Sequence, residues 1–309
     1  MRNIATLTLN PTLDVSYAVE RLVPAQKTRA SGERHDPGGG GINVARVFVR
    51  LGGNARCFYL SGGATGHALD GLLDLHQILR ERIAIAGDTR ISTAISVRES
   101  GQEYRFVPPG PVIAPEEWQE CLDRIAGTQC DYLVASGSLA PGVPEDFYAQ
   151  VAAIAARRGT RMVLDSSGAG LRCGLEGGNV HLVKPSLDEL RQLSGRPLSG
   201  IEEIGRAAMD IVEKGQAEIV AVTLSQDGAL LARRSGTLHL PALLIEPRST
   251  VGAGDSFLAA MVFTLAGGGD EVEAFRFGIA AGAAALLNTG TSLSQPSDIQ
   301  RFFPLVAMA

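Results

Sequence analysis

Several common chemical signatures are missing from this 309-residue chain. Its four cysteines, Cys57, Cys121, Cys130 and Cys173, form no C-x-x-C pair, and its five histidines form no H-E-x-x-H. A structural zinc site and a zinc-hydrolase centre are thereby disfavoured, and the thiols read as the buried or free cysteines of a cytosolic protein. Neither G-x-x-x-x-G-K-[ST] nor G-x-G-x-x-G occurs, which argues against a P-loop NTPase and an ordinary dinucleotide dehydrogenase. Positive charge is in deficit, with 28 Lys and Arg against 33 Asp and Glu and a formal net charge of −5, so a broad basic face for nucleic acid is not expected. The opening M-R-N-I-A-T-L-T-L-N lacks the apolar core of a signal peptide, and no apolar run reaches membrane-spanning length. A cytoplasmic location without membrane partners is the expectation. Internal repeats, low-complexity tracts and long linkers are also absent.

What is present is ample apolar material, 45% of the residues, enough for one large α/β domain spanning 1–309 without disulfide staples. Short apolar runs alternate with amphipathic ones, which predicts a mostly parallel sheet wrapped by helices. The clearest strands are Y-L-V-A-S-G-S from Tyr132, R-M-V-L-D-S-S from Arg161, V-H-L-V-K-P-S from Val180 and E-I-V-A-V-T-L-S from Glu218. Each ends in small or polar residues, and ligands of open α/β sheets gather at the carboxyl ends of strands. Stretches beginning at Pro144 and Ile201 carry apolar residues at helical spacing. Two segments follow a period of two instead: V-S-Y-A-V at 15–19 and R-I-S-T-A-I-S-V-R at 90–98, the second leading through E-S-G-Q into E-Y-R-F. They predict a small separate sheet, inserted at about 14–36 and 88–108, covering one mouth of the main domain. Its exposed edges would carry charges or pair with a second chain, giving a homodimer.

Two glycine clusters feed apolar helical runs. In P-G-G-G-G-I-N-V-A-R, from Pro37, four consecutive glycines read as a loop rather than helix, either a flexible turn or bare backbone approaching a ligand beside Gly39 and the amide of Asn43. In S-T-V-G-A-G-D-S-F-L-A-A-M, from Ser249, Asp255 follows Gly252, Ala253 and Gly254 where a helix begins. Such a carboxylate either serves the helix, through capping and the macrodipole, or stands as a base beside an anion site made by the helix N-terminus. Lys27, Arg29, Arg90 and Arg105 flank the small sheet. Each alone reads as a solvated charge; together they read as a rim for a phosphate. Asp14 in N-P-T-L-D is either a turn residue or an acceptor for sugar hydroxyls.

These features together resemble the phosphofructokinase B family of sugar kinases, whose fold is ribokinase-like. The resemblance runs from L-T-L-N-P-T-L-D to the N-T-G-T stretch at Asn288. G-G-G-G-I-N-V-A-R-V-F-V-R-L-G-G resembles the family's first signature and S-T-V-G-A-G-D-S-F-L-A-A its second. It implies a three-layer αβα, doubly wound, mostly parallel sheet with a small β-sheet lid. It also implies ATP-dependent phosphorylation in the branch acting on already phosphorylated hexoses. Fructose 6-phosphate is the expected substrate, with fructose 1-phosphate or tagatose 6-phosphate as alternatives and a non-catalytic sugar-phosphate sensor as a reading from a different class. By resemblance Asp255 is the base, with the N–H groups of Gly252, Ala253 and Gly254 holding the phosphoryl group. Asp14, Gly39, Asn43 and Ser138 hold the sugar, while Lys27, Arg29, Arg90 and Arg105 meet its phosphate. Lys184, Ser186, Thr223, Ser225, Gly228, Thr250 and 281–288, including Asn288, lie along ATP. Mg²⁺ accompanies the nucleotide, and a potassium requirement is left open. Two departures stand out: Ser186 replaces the Asn of the family's N-x-x-E, leaving Glu189 as an indirect metal contact, and Ser225 replaces a usual glycine.

Overall fold

The computed structural model describes residues 3–288 and 292–306. Elements are numbered along the chain. Nine strands form the main sheet: β1 (Asn3–Thr8), β4 (Asn54–Ser61), β5 (Leu79–Ala84), β8 (Tyr132–Ser136), β9 (Arg161–Asp165), β10 (Val180–Val183), β11 (Ala217–Thr223), β12 (Ala229–Arg233) and β13 (Gly236–Leu240). Their spatial order is β13-β12-β11-β10-β9-β8-β1-β4-β5, with every pairing parallel except β11–β12 and β12–β13, so that only β12 runs against the rest. The four strands expected from the middle of the sequence are β8 to β11.

Strand residues alternate between two cores because both faces of this sheet are covered. In β8, Leu133 and Ala135 join one apolar cluster and Tyr132 and Val134 the other; in β4, Phe58 and Leu60 oppose Cys57 and Tyr59. On the first side lie α3 (Pro115–Ala126), α4 (Phe147–Arg157), α5 (Gly168–Glu176), α6 (Leu187–Ser194) and α7 (Ile201–Glu213). On the second lie α1 (Gly40–Arg50), α2 (Gly63–Leu75), α8 (Ala253–Ala266), α9 (Glu271–Ala285) and α10 (Pro296–Phe302). Helices on both faces make the three layers of a doubly wound fold. From β1 the chain builds outward through β4 to β5 on one side and through β8 to β13 on the other, so the winding reverses at β1. A ligand crevice is expected at the carboxyl ends beside such a reversal.

A second sheet stands over that end. Its order is β3 (Ser31–Gly38), β2 (Thr12–Val19), β6 (Arg90–Val97), β7 (Gln102–Phe106). Most of β3 lies within the insertion expected at about 14–36, but S-G-E-R-H-D-P-G has neither alternation nor β-branched residues to mark it as a strand of its own. The register aligns Asp14 with Asp36 and Ser92, and Ala94 with Arg105, so one face of this sheet is polar. The same register aligns Val15 with Thr93 and Ile95 with Tyr104, so the opposite face is largely apolar.

Candidate active site

The polar face of the small sheet and the carboxyl ends of β1, β8, β9 and β10 enclose a cleft whose floor begins with the first glycine cluster. Here the loop expectation needs correction: Gly40 and Gly41 belong to the first turn of α1. A Cβ at Gly40 would collide with Ser136 Oγ at the end of β8, so glycine is needed for close approach as well as for turning. Thr8 Oγ1 accepts the N–H of Ile42 at 3.0 Å, satisfying one of the unpaired donors of that helix end. Gly39, with φ 114°, makes the turn into it.

Helix α8 enters from the other side. Gly252 adopts the left-handed conformation at φ 72° as its N-cap residue, and Asp255 lies in the first turn. The Asp255 carboxylate accepts instead from another helix, the Asn43 Nδ2 donor 2.9 Å from its Oδ2. Burial pushes the Asp255 carboxyl up to about 6, with Asp165 adding to the rise and Asn43, Lys184 and Arg46 opposing it.

Lys184 Nζ lies 3.0 Å from Asp165 Oδ1 and packs against Gly254, where a Cβ would stand 3.3 Å from it. Burial alone would lower the Lys184 ammonium, but Asp165, through charge and hydrogen bond, with Asp255 and Glu189 behind it, holds it above its ordinary value. Ser136 Oγ donates to the other Asp165 oxygen at 3.2 Å. On the opposite wall Asp14 is also pushed up to about 6 by burial, against a hydrogen bond from Thr12 and the charges of Arg105 and Arg46, with Asp36 adding to the rise. Asp14, Ser16, Ser92, Glu103 and Arg105 share a shallow hollow with Val251, directly before α8. The cleft thus joins a buried carboxylate, a lysine, a helix N-terminus and a polar wall bearing an arginine. That set suits transfer of an anionic group to a hydroxyl.

The residues expected along a nucleotide lie beyond Lys184. Ser186 and Thr223 form a bridge between the ends of β10 and β11, and the Thr223 N–H donates to Pro185 O at 3.0 Å. Ser225, at φ 55°, and Gly228, at φ 91°, shape the turn that follows, and Thr250 is exposed ahead of α8. Asn288 donates to Ala284 O and Leu293 O, bracing the end of α9. The remaining T-G-T of the N-T-G-T stretch, residues 289–291, lies outside the described residues.

Other expected residues have more local engagements. Glu189 Oε2 accepts from the N–H and the hydroxyl of Ser186, and Ser186 caps α6 in return. The S-x-x-E spacing was readable as a capping box. Arg90 gives three of a guanidinium's five N–H groups to the carbonyls of Pro11, Pro108 and Asn10. Lys27 and Arg29 are exposed in the loop between β2 and β3, and Ser138 is exposed two residues beyond Ser136. Asp165, Ser136, Asp36 and Arg46 were missed. The first two close their strands, where the rule about carboxyl ends pointed; nothing in the spacing singled out Asp36 or Arg46.

Among the described residues no cluster of three or more histidine, cysteine or acidic side chains converges to hold a metal. No helix among them is long and apolar enough to cross a membrane.

Comparison with known proteins identifies the family. The chain is 41% identical over 306 residues to the ATP-dependent 6-phosphofructokinase isozyme 2 of Mycobacterium tuberculosis, covering 98% of this chain and 90% of that one. It is 38% identical over 304 residues to the Escherichia coli enzyme of the same name, covering 98% of each. Crystal structures of E. coli phosphofructokinase-2 superpose with TM-scores of 0.94 for a potassium complex, at 38% identity over 99% of both chains, and 0.93 for a fructose-6-phosphate complex, at 36% identity over 100% of both. A tetrameric inhibited form of that enzyme matches at a TM-score of 0.93, with 37% identity over 99% of both chains. With residues 8–298 also matching the pfkB family carbohydrate kinase profile, the chain belongs to the pfkB family of carbohydrate kinases.

Proposed function

We propose that this kinase transfers the γ-phosphoryl group of MgATP to the free primary hydroxyl of fructose 6-phosphate, giving fructose 1,6-bisphosphate. The observation that carries this reading is the meeting of Asp255 with Asn43 at the N-terminus of α8, under a polar wall bearing Asp14 and Arg105. The sugar lies between the two walls, with Asp14, Gly39, Asn43 and Ser138 on its hydroxyls. Lys27, Arg29, Arg90 and Arg105 hold its existing phosphate; Arg90 keeps two N–H groups for that purpose beyond those given to carbonyls. Asp255 accepts the hydroxyl proton as the oxygen attacks phosphorus. The N–H groups of Gly252, Ala253 and Gly254, helped by Lys184, meet the negative charge of the transferring group. Mg²⁺ fits this donor set as an ion carried on the nucleotide phosphates, since it needs oxygen ligands and keeps several waters. Glu189, held by the N–H and hydroxyl of Ser186, would reach that ion only indirectly. The nucleotide runs past Ser186, Thr223, Ser225 and Gly228 toward Thr250 and Asn288.

The small sheet acts as a lid over residues 1–309 taken as one domain, keeping water from the phosphoryl group. Its apolar outer face meets a second copy of the chain. The test of the reaction is ATP turnover against fructose 6-phosphate, fructose 1-phosphate, tagatose 6-phosphate, fructose and ribose. A preference for fructose 6-phosphate is expected. Preference for another phosphorylated hexose overturns the substrate, and no turnover on any of them overturns the kinase reading in favour of a sensor.

A further inference from the structure

Arg46 is one of the most buried side chains of the protein, 2% exposed, and meets the cleft only through Asn43. It lies on α1 three residues after Asn43, the spacing that puts two side chains on one helical face. Its Nη1 donates to Pro37 O at 3.0 Å and to Asn43 Oδ1 at 3.2 Å, and its Nη2 donates to Asp36 Oδ1 at 3.2 Å. Nε has no acceptor among the described residues. A buried ion pair with an unsatisfied donor is an expensive way to fill space, and an apolar residue of similar volume would commonly serve stability as well.

The donor inventory supplies a reason for it. A guanidinium can only donate, so the Asn43 oxygen must face Arg46 and the Asn43 NH₂ must face Asp255. With the amide reversed, donor would meet donor at Arg46 and acceptor would meet carboxylate at Asp255. Resting on the reading of Asp255 as base, we propose that Arg46 is a positioning residue for phosphoryl transfer: it fixes the Asn43 amide so that its NH₂ is committed to Asp255 Oδ2, leaving Oδ1 to take the proton. In that step the sugar oxygen bonds to the γ-phosphorus, the bond from that phosphorus to the β–γ bridging oxygen breaks, ADP leaves, and the hydroxyl proton passes to Oδ1. The anionic partner of Arg46, Asp36, belongs to β3, so a strand of the small sheet supports the orientation of the base across the cleft.

Charge acts in the same sense as geometry. Asp255 is faced by Asp165 on β9, Lys184 after β10, and Asn43 and Arg46 on α1, and the last three all favour its ionised form. Arg46 is itself faced by Asp36, Arg50 and Asp14. Removing Arg46 frees the amide to turn and withdraws a cation from the base.

The test pairs Arg46→Met with Asp36→Asn, so that no buried charge is orphaned. We expect a folded protein by circular dichroism and thermal melt, with kcat lowered on the order of 10- to 100-fold, the range that misplacing a reacting group produces. KM for ATP should stay within about threefold, because no nucleotide contact is touched, while KM for fructose 6-phosphate rises moderately as the Asn43 amide, which also meets the sugar, loses its fixed orientation. The acid limb of the kcat–pH profile should move to higher pH. Arg46→Lys, again able only to donate, should recover most of kcat and the parent limb, whereas Arg46→Gln, which can accept as well, should not. Should the double variant fail to fold, this lysine–glutamine comparison carries the test. A folded double variant with parental kcat and acid limb overturns the inference, as does a lysine variant that does no better than the glutamine variant. Asp255→Asn separates the two readings. If it keeps full turnover, the base assignment falls; if it is inactive while the Arg46 variants behave as parent, only the positioning role falls.

Discussion

Asp14 and Asp255 face the same cleft from different sheets, and burial raises both carboxyls to about 6. A carboxyl that binds its proton more tightly folded than unfolded lowers stability as pH rises. For Asp255 the cost is absent below about pH 4, the unfolded range, grows between 4 and 6, and is complete above 6. Asp255→Asn should therefore raise the unfolding free energy at pH 8, by at most roughly 1–3 kcal/mol, with the gain fading toward pH 4 in melts across that range. The same substitution should reduce turnover on the order of a thousandfold if Asp255 is the base. An unchanged melt at pH 8 would mean that the carboxylate is not strained by burial. Two carboxylates titrating together also shape the rate profile. Below about pH 5, log kcat/KM should fall more steeply in the parent than in Asp14→Asn, by a slope of one per pH unit, since both groups must be ionised in the free enzyme. The sugar phosphate titrates near pH 6 as well, but equally for both proteins, so the difference isolates Asp14. Equal slopes would remove the ionised Asp14 from sugar binding.

At the level of elements, the turn between β11 and β12 shows how a residue can depart from a family habit while the backbone keeps it. Ser225, where glycine is usual, still has φ 55°, a left-handed conformation that a Cβ makes unfavourable. Ser225→Gly should stabilise the protein by about 1 kcal/mol, read as a higher denaturant midpoint at unchanged slope. A lower midpoint would show that the serine side chain stabilises the turn by more than the strain. Legibility followed the same physics. Strands buried on both faces, such as Arg161–Asp165, announce themselves as apolar runs closed by a polar residue, and Asp165 was readable there in principle. Strand β3 was hidden because Ser31 to His35 are exposed and pair only with β2, leaving no periodicity to detect. Intrinsic preference makes a glycine run look like loop, whereas close approach to Ser136 at Gly40, and to Leu7 and Thr8 at Gly41, makes glycine necessary within α1. Ser186 and Glu189 carried two messages at one spacing, a metal motif by resemblance and a capping box by local chemistry, and the hydrogen bonds form the cap. Arg46 had no readable signal because the role proposed for it depends on Asp36, ten residues earlier on β3, and on Asn43, one turn earlier on its own helix.

For the molecule as a whole, the unanswered demand is the outer face of the small sheet. Its inner face is occupied by polar groups that serve the cleft, while Ile91 and Tyr104 are each 42% exposed and Phe106 57% exposed on the other side. Large apolar side chains gathered on one exposed sheet face, beside an edge strand as short as β7, mark an association surface. A second copy pairing there would cover both faces at once, and the isologous contact of a two-fold dimer needs only this one patch. The parent should therefore sediment as a dimer or a larger even-numbered assembly at micromolar concentration. Phe106→Asp should shift it toward monomer, because a buried carboxylate at the centre of an apolar contact has no partner to neutralise it. The same variant should raise KM for fructose 6-phosphate more than KM for ATP if, as proposed, Arg105 of β7 holds the sugar phosphate and the nucleotide lies beyond β10. A parent that sediments as a monomer removes the shared sheet altogether. A Phe106→Asp dimer with parental constants would move the association surface elsewhere and leave the lid to close over each chain by itself.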